Sequence, residues 1–252
     1  MIKIKTPEEI KIMDEGGKIL AKILQQLRKM AKPGITTKDL DKVAYGLVLK
    51  YGAKPSFLGY EGFPAALCTS INEEIVHGIP GQRKLRPGDI ISLDLGIYHG
   101  GFHTDAAITL PVGKINKKNR RLLKVAKRAL IIGVKEIRPG KHFGDISFVI
   151  QKYVESQGFN VIRDLCGHGI GRELHEDPQI LNFGKRGTGP EIREGMVLCP
   201  EPMITAGDWR IKHGKDGQCF ETRDGSLSAH FEYTVAVQKR GCKVLTPLEV
   251  CF

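Results

Sequence analysis

The feature that most constrains the fold of this chain is an internal repeat. In each half, two helical patterns separated by a Pro-Gly breaker come before a strand-like stretch, always in the same order. The matched positions, each 106 residues apart, are Pro33 and Pro139, Asp39 and Asp145, and Gly52 and Gly158. We therefore expect residues 1–252 to form a single domain of two pseudo-symmetric halves, about 1–113 and 114–252.

The helices of the repeat carry clear start and stop signals. Thr6 is predicted to cap the first helix, with Pro7 at its first position and Glu9 completing a capping box. A second helix is expected from about Thr37 to Gly52. In the second half, RRLLKVAKRALIIGVKEI and DISFVIQKYVESQG are predicted to be the equivalent helices.

Residues 91–108, ISLDLGIYHGGFHTDAAI, read as two strands around a glycine turn, with one acid on each strand. If His99 and Gly100 form the turn, Asp94 faces Asp105, with their Cβ atoms about 5 Å apart. Directly opposed like charges destabilise a sheet, so a shared proton, a nearby cation or a metal ion must compensate. The alternative is a different register that points one aspartate at solvent.

The repeat extends this pattern of acids to the second half. RPGDIISLD, residues 86–94, is echoed by REGMVLCPE, residues 193–201, at an offset of 107, which makes Glu201 the counterpart of Asp94. A looser match between HTDAAITLPVG and FEYTVAVQKRG places Glu232 in the role of Asp105. Four converging carboxylates cannot all stay ionised without cations, so the pattern predicts a pair of divalent ions.

His168, in CGHGIGRELHEDP, is the best candidate for a nitrogen ligand, because flanking glycines let the backbone approach closely. A lone histidine is more often structural, but the glycines and the acids favour a ligand here. One imidazole among carboxylates suits Mn, Fe, Co or Zn. Two such ions about 3.5 to 4 Å apart can hold a bridging hydroxide and polarise a carbonyl, which predicts metal-assisted hydrolysis. Cys166 and Cys199 are interpreted as packed neighbours of the ligands.

Composition sets the broader limits. Hydrophobic residues make up 41% of the chain, no apolar run is long enough to span a membrane, and no signal peptide is visible, so a cytoplasmic location is expected. The six cysteines show no CxxC pair and are expected to be reduced thiols.

The net charge of +11 is partly concentrated in NKKNRRLLKVAKRAL, residues 116–130. This basic helix face either contacts RNA or is simply solvated, and the second reading is favoured because no aromatic residues interleave it.

The segments SINEEIVHGIP, GDIISLDLG, GFHTDAA, GHGIGRELHEDP, EPMI and SLSAHFEYT resemble, in order and spacing, those of the type I methionine aminopeptidases. The resemblance covers nearly the whole chain and implies an α+β pita-bread fold, with antiparallel sheet covered by helices. It implies two divalent cations per chain, with Asp105 and Glu232 bridging both ions. The metal ligands that it implies are Asp94, Asp105, His168, Glu201 and Glu232. The short spacing from His168 to Glu232 resembles the bacterial form.

The resemblance also implies a substrate site. His77 and His175 match the two histidines that contact the substrate backbone, and Tyr60, Phe63 and Cys68 match the methionine pocket. Aromatic faces and a soft sulfur suit a thioether, although these three residues would also suit an ordinary core. The chain departs from the pattern at Gln218, where a tryptophan is common, and at Leu174, where a phenylalanine is common. Trp209 lies nearby in sequence, but the sequence does not say whether its ring replaces the missing one.

The implied reaction is removal of the N-terminal methionine from nascent proteins whose second residue is small, by attack of a metal-bridging hydroxide. Glu201 is the candidate proton carrier, His175 the candidate oxyanion donor, and His77 the residue that orients the substrate backbone. The enzyme is expected to be a monomer, without membrane contact and with a basic surface that can meet the ribosome.

Two other functions compete with this one. A proline-specific peptidase of the same fold, such as prolidase or aminopeptidase P, usually carries an additional N-terminal domain, and a chain that starts directly at the catalytic helices argues against it. A catalytically silent relative that binds RNA or the ribosome would have lost metal ligands, whereas all five positions are filled here.

Overall fold

A computed structural model describes residues 1–248 of the chain. Two pairs of α-helices each precede a group of strands; the helices are α1 Pro7–Met30, α2 Thr37–Lys50, α3 Lys117–Glu136 and α4 Phe143–Ser156. A short 3-10 turn covers Tyr60–Gly62. Within the described residues, no helix has both the length and the apolar character needed to cross a membrane.

The strands form four antiparallel sheets. In the first half they are β1 Lys54–Pro55, β2 Leu67–Ile71, β3 Glu74–Val76, β4 Ile90–His99 and β5 Phe102–Pro111. In the second half they are β6 Asn160–Val161, β7 Cys166–Gly169, β8 Glu176–Leu181, β9 Val197–Cys199, β10 Met203–Thr205, β11 Ile211–His213, β12 Phe220–Thr222, β13 Ser228–His230, β14 Val235–Val237 and β15 Cys242–Val244. The longest strands, β4 and β5, are the predicted acid-bearing hairpin.

The predicted helix starts are confirmed. The Thr6 hydroxyl accepts a hydrogen bond from the backbone N–H of Glu9, and the Glu9 carboxylate accepts one from the backbone N–H of Thr6, which is the reciprocal capping box. Helix α1 ends at Met30, three residues before Pro33, because the chain must leave helical geometry ahead of a proline. Helix α2 begins at Thr37, as predicted, and is capped by Thr36 and Asp39 in the same way.

The helices cover the sheets in a pattern that repeats between the halves. Helix α1 packs on β4 and β5 and pairs with α2, while α3 packs on β10 and β13 and pairs with α4. Their apolar faces share one core cluster with the strands. The five cysteines in the described region, Cys68, Cys166, Cys199, Cys219 and Cys242, are free thiols, as expected, and Cys251 lies outside the described residues.

The register predicted for the first hairpin is wrong. Gly100 and Gly101 form the two-residue turn, so His99 pairs with Phe102, Asp94 pairs with Ala107, and Asp105 pairs with Gly96. Both turn glycines have positive φ, +58° and +93°, which the type I′ hairpin turn requires at both central positions. Asp94 and Asp105 are therefore diagonal neighbours on one face of the sheet, two residues out of direct opposition, rather than a facing pair.

In the second half, Glu201 lies between β9 and β10, and Glu232 lies between β13 and β14. Strand β9 pairs with β14 through Leu198 and Val235, and β10 pairs with β13 through Met203 and His230. The paired residue numbers add up to 433 in both ladders, as do 201 and 232. Glu201 and Glu232 thus occupy matching positions in the gap between two ladders of the same register.

The two halves are joined side by side along β5. The backbone groups of Ala107 and Glu232 bond to each other in both directions, at 3.0 and 3.4 Å. On one side of this pair, the Thr234 hydroxyl accepts from the N–H of Asp105 and donates to its C=O. On the other side, the Thr109 hydroxyl accepts a hydrogen bond from the N–H of His230 and donates one to its C=O. Threonine side chains therefore continue the ladder symmetrically around the point where the acids converge.

Candidate metal centre

The four predicted acids converge at the joint between the halves. Asp94, Asp105 and Glu232 are buried, with exposed fractions of 9%, 3% and 2%, and one carboxylate oxygen of each lies within 4.8 Å of the others. One carboxylate oxygen of each of these residues, Oδ1 of the aspartates and Oε1 of Glu232, has no hydrogen-bond partner in the described chain. Buried polar atoms are almost always paired in native proteins, so orphaned oxygens that converge in this way fit a bound cation.

The electrostatics of the cluster lead to the same conclusion. Burial, followed by repulsion from Asp105 and Glu201, raises the pKa of Asp94 well above its usual range. Burial raises the pKa of Asp105 to about 7, and burial together with neighbouring carboxylates also raises the pKa of Glu201 and Glu232. These groups resist ionisation together unless divalent cations neutralise them, so the donor set fits the metal ions that the sequence predicted.

His168 lies where a nitrogen ligand is needed. Its Nδ1 hydrogen-bonds to the carbonyl oxygen of Gly169 at 2.9 Å, which leaves Nε2 directed at the acids. Nε2 is 3.5 Å from Oε1 of Glu201 and 3.9 Å from Oε1 of Glu232. Burial lowers the pKa of His168 to about 3, so the ring is neutral and its Nε2 lone pair is available to a metal.

The glycine beside His168 explains how β7 approaches the acids. A Cβ atom on Gly167 would lie 2.2 Å from the carbonyl oxygen of Cys199 and 3.2 Å from Cγ of Glu201. Only glycine allows β7 to pair this closely with β9, where His168 is opposite Cys199. The glycine thus permits a close approach of β7 to β9, and the predicted approach of this backbone to a bound ligand stays a prediction.

The sequence reasoning missed one residue beside the predicted ligands, His230. It is 1% exposed, its Nε2 lies 3.2 Å from Oε2 of Glu201, and it groups with Glu201 and Glu232 as a set that could hold a cation. The available signal was its position two residues before Glu232, because alternate residues of an extended strand point to the same side.

The two cysteines near the ligands differ in their surroundings. Cys199 groups with His168 and Glu232 within 4.8 Å, and its Sγ lies 3.6 Å from the Thr234 hydroxyl. Burial and the neighbouring acids raise the pKa of Cys199 well above its usual range, which keeps it a protonated thiol. Cys166 lines the cavity described next. The interpretation of both cysteines as packed neighbours stays a prediction.

A cavity of about 450 Å³ opens onto the acids. Its wall brings together every residue that the sequence assigned to the site: Asp94, Asp105, His168, Glu201, Glu232, His77, His175, Tyr60, Phe63 and Cys68. The carboxylates and imidazoles form one part of the wall, and the rest combines aromatic and aliphatic side chains with polar ones such as Glu61 and Gln179. Such a cavity can place an apolar side chain in the wall pocket and a polar group against the acids.

The two substrate histidines differ in how they are held. Nδ1 of His175 lies 2.9 Å from the Tyr60 hydroxyl, and its ring packs edge-on against the ring of His168, with 4.4 Å between centroids. His77 packs edge-on against Phe220 and has a φ of +59°, a conformation that is uncommon for residues other than glycine. Such strained backbone often occurs at functional sites. Burial lowers the pKa of both histidines.

The two positions at which this chain departs from the family pattern also lie at the cavity. Gln218 and Leu174 both line it, so the two substitutions alter the wall directly. Trp209 instead packs beneath the guanidinium of Arg163, at 4.9 Å, and in the described chain it is not part of the cavity wall. The indole ring therefore does not replace the aromatic ring that Gln218 lacks.

Comparison with known proteins places this site in a family. The model of metallopeptidase family M24 matches residues 11–239. Methionine aminopeptidase 1 of Bacillus subtilis is 48% identical over 246 residues, which cover 98% of this chain and 99% of that protein. The crystal structure of the methionine aminopeptidase from Thermotoga maritima has a TM-score of 0.96 at 46% identity, covering 99% of this chain and 100% of that one.

The chain is also similar, more distantly, to a prolidase. The prolidase from Pyrococcus horikoshii is 24% identical with a TM-score of 0.79, and the match covers 98% of this chain but only 64% of the prolidase, so it shows a shared fold alone. The near-complete matches and the expected pita-bread architecture agree with each other. The chain belongs to the methionine aminopeptidases of metallopeptidase family M24.

Proposed function

We propose that this protein removes the N-terminal methionine from nascent chains whose second residue is small, by metal-assisted attack of water on the first peptide bond. The observation that carries the proposal is the convergence of five ligand-type side chains with His77 and His175 on one cavity, beside an apolar pocket. The family membership supports the same reaction.

Two divalent ions are proposed to bind between the halves. Asp94, Asp105 and Glu232 would hold one ion, and Asp105, His168, Glu201 and Glu232 would hold the other. When bound, such ions acidify water and polarise the scissile carbonyl. Carboxylates with a neutral imidazole suit Mn, Fe, Co or Zn.

The chain's own side chains then handle the protons. Glu201 is proposed to accept a proton from the attacking water and to deliver one to the leaving amine, because its carboxylate borders both the ligands and the cavity. Tyr60 is proposed to donate a hydrogen bond from its hydroxyl to Nδ1 of His175, which fixes the proton of the neutral ring on Nε2, where it can stabilise the oxyanion. His77 is proposed to orient the substrate backbone.

The apolar wall accounts for methionine as the first residue. Tyr60, Phe63 and Cys68 line the cavity, and aromatic faces with a polarisable sulfur make favourable contacts with a thioether. Gln218 and Leu174 line the same wall, and their side chains are smaller or more flexible than the aromatic rings that are common at these positions. We therefore expect this pocket to accept slightly larger side chains than methionine, with methionine still preferred.

The test is hydrolysis of matched dipeptides by protein that has been stripped of metal and reloaded with Mn, Fe, Co or Zn. Met-Ala should be cleaved far faster than Met-Phe, since added volume beyond the scissile bond removes transition-state contacts. Leu-Gly serves as the control for the first residue, and Gly-Pro as the control for a prolidase. Equal rates for Met-Ala and Met-Phe, or preferred cleavage of Gly-Pro, would contradict the proposal.

The basic face of α3 is the proposed contact with the ribosome, where nascent chains emerge in the cytoplasm. Lys118, Lys124 and Arg128 are exposed on this helix, and within residues 1–248 none of the three forms an ion pair with a carboxylate. Exposed unpaired cations attract phosphate groups in a salt-dependent way. Replacement of these three residues by glutamate should abolish cosedimentation with ribosomes while leaving dipeptide hydrolysis unchanged.

The enzyme is proposed to act as a monomer, which its sedimentation velocity would test.

A further inference from the structure

His230 is the one imidazole at the metal centre to which the reaction described above gives no role. Strand β13 places it opposite Met203, and the Thr109 hydroxyl holds both its backbone N–H and its C=O. The residue is 1% exposed, and neither of its ring nitrogens has a hydrogen-bond partner in the described chain. A rigidly held, buried and unpartnered imidazole requires an explanation, because such orphaned groups are rare.

The surroundings of its Nε2 atom resemble those of His168. Nε2 of His230 lies 3.2 Å from Oε2 of Glu201, and Nε2 of His168 lies 3.5 Å from Oε1 of the same carboxylate. Glu201 is thus flanked by two imidazoles, one on each oxygen. The distance from His230 is short, yet the atoms do not meet hydrogen-bond geometry, so the ring nitrogen does not donate to the carboxylate.

A nitrogen that comes this close to a carboxylate oxygen without bonding to it has the arrangement of two ligands around one ion. Ligands bound about 2.0 to 2.2 Å from a metal lie roughly 3 Å from each other. One ligand atom each of His230, Glu201 and Glu232 lies within 4.8 Å of the other two, so the three side chains already surround a common point.

We propose that His230 is a sixth protein ligand of this metal centre, binding through Nε2 the ion that Glu201 and Glu232 hold. The inference rests on the proposed two-metal function and adds a second imidazole to it. Imidazole favours Co, Zn and Fe over Mn, which prefers oxygen ligands. His230 should therefore shift the metal selectivity of this centre toward the nitrogen-preferring ions.

The decisive experiment counts coordinated imidazoles in the Co²⁺-loaded wild-type protein by proton NMR. Each cobalt-bound imidazole shows a strongly shifted, exchangeable N–H resonance, and we expect two such signals, from His168 and His230. His230→Gln should remove one signal and weaken Co²⁺ and Zn²⁺ binding, measured by equilibrium dialysis, by about tenfold to hundredfold. Mn²⁺ binding should weaken less, because an amide oxygen can still serve as a ligand for it.

His142→Gln is the matched control, because His142 lies at the start of α4, away from the acids, and should change neither signal count nor affinity. A single shifted N–H signal in the wild type overturns the proposal even if His230→Gln fails to fold. Equal loss of Co²⁺ and Mn²⁺ affinity also overturns it and assigns His230 a purely structural role. If the wild-type protein binds no divalent ion, the two-metal function itself is wrong. This outcome differs from a single shifted signal, which rejects only the role of His230.

Discussion

At the residue scale, the proposed chemistry depends on carboxylates that the fold buries against each other. An isolated buried carboxylate would take up a proton, and the pKa of Asp105 is raised to about 7 by burial. Glu232 is the most enclosed of the four acids, at 2% exposed, and its neighbours come from both halves. Its negative charge is therefore expected to matter most for holding cations.

Glu232→Gln should abolish binding of at least one ion, because the amide keeps the shape of the side chain but removes the shared charge. With free metal a hundredfold above Kd, the wild type should gain about 2.7 kcal/mol of unfolding free energy, and the variant little or none. Metal content and urea unfolding with and without metal measure both effects. Glu155→Gln, on the surface of α4, is the control, and a metal-replete, fully active Glu232→Gln would refute the ligand assignment.

His175 allows a second prediction at this scale. His175→Ala should lower kcat by about 10² to 10³, as loss of an oxyanion donor does elsewhere, while metal content stays unchanged. Tyr60→Phe should lower kcat less, because it removes only the hydroxyl that holds Nδ1 of His175. Steady-state kinetics with a metal assay decide the matter. Wild-type kcat in His175→Ala, or a loss of activity explained by lost metal, would exclude the oxyanion role.

At the scale of elements, the joint between the halves is made by side chains as well as by backbone. Where a continuous sheet would pair peptide groups, the hydroxyls of Thr109 and Thr234 bond to the backbone of His230 and Asp105. These two hydroxyl bridges lie on either side of the backbone pair formed by Ala107 and Glu232. They hold the backbone of one acid-bearing strand against the other without closing the space that the carboxylates need.

Thr234→Val should destabilise the protein, because the change leaves the N–H and C=O of Asp105 buried without partners. An orphaned buried polar group costs about 1–3 kcal/mol, so a loss of roughly 2 to 6 kcal/mol is expected in urea unfolding. Metal affinity should fall as well, since Asp105 loses its support. Thr234→Ser keeps the hydroxyl and should remain within about 1 kcal/mol of the wild type. Equal stability of the valine and serine variants would show that the hydroxyl bridge is unimportant.

At the scale of the whole molecule, the candidate metal centre lies between the two halves of the repeat. Asp94 and Asp105 come from the first half, and His168, Glu201 and Glu232 come from the second. Without cations, the charges at this joint repel one another across the interface between the halves. The stability of the metal-free protein should therefore depend on the protonation of the cluster.

In chelator, the free energy of unfolding should fall as pH rises from about 4 toward about 7. Burial raises the pKa of Asp105 to about 7 in the folded protein, so the folded state binds more protons than the unfolded state over this range. Urea unfolding across the range measures the slope, and saturating metal or Asp105→Asn should reduce it. A metal-free protein whose stability rises with pH over this interval would contradict the assignment.

Local sequence signals were sufficient to predict the helix boundaries and to propose the reacting groups. The Thr6 and Glu9 capping box, the breaks ahead of Pro33 and Pro139, and the repeat of helices and acid-bearing strands are encoded within a few residues each. Local signals suffice because capping and turn formation depend on side chains three or four positions apart. The family resemblance supplied the site residues as a set, and the structure brings them to one cavity.

Tertiary structure decided the register and the contacts across the repeat. The adjacent Gly100 and Gly101 offered a signal for the correct turn, but a one-residue choice at the turn changes every pairing along β4 and β5. Helix α1 reinforces the result, since a Cβ on Gly100 would lie 2.5 Å from Cγ2 of Ile12. The approach of His230 to Glu201 and the threonine bridges depend on strands that are far apart in sequence. Only the folding of one half against the other brings them together, because no local pattern specifies such a long-range pair.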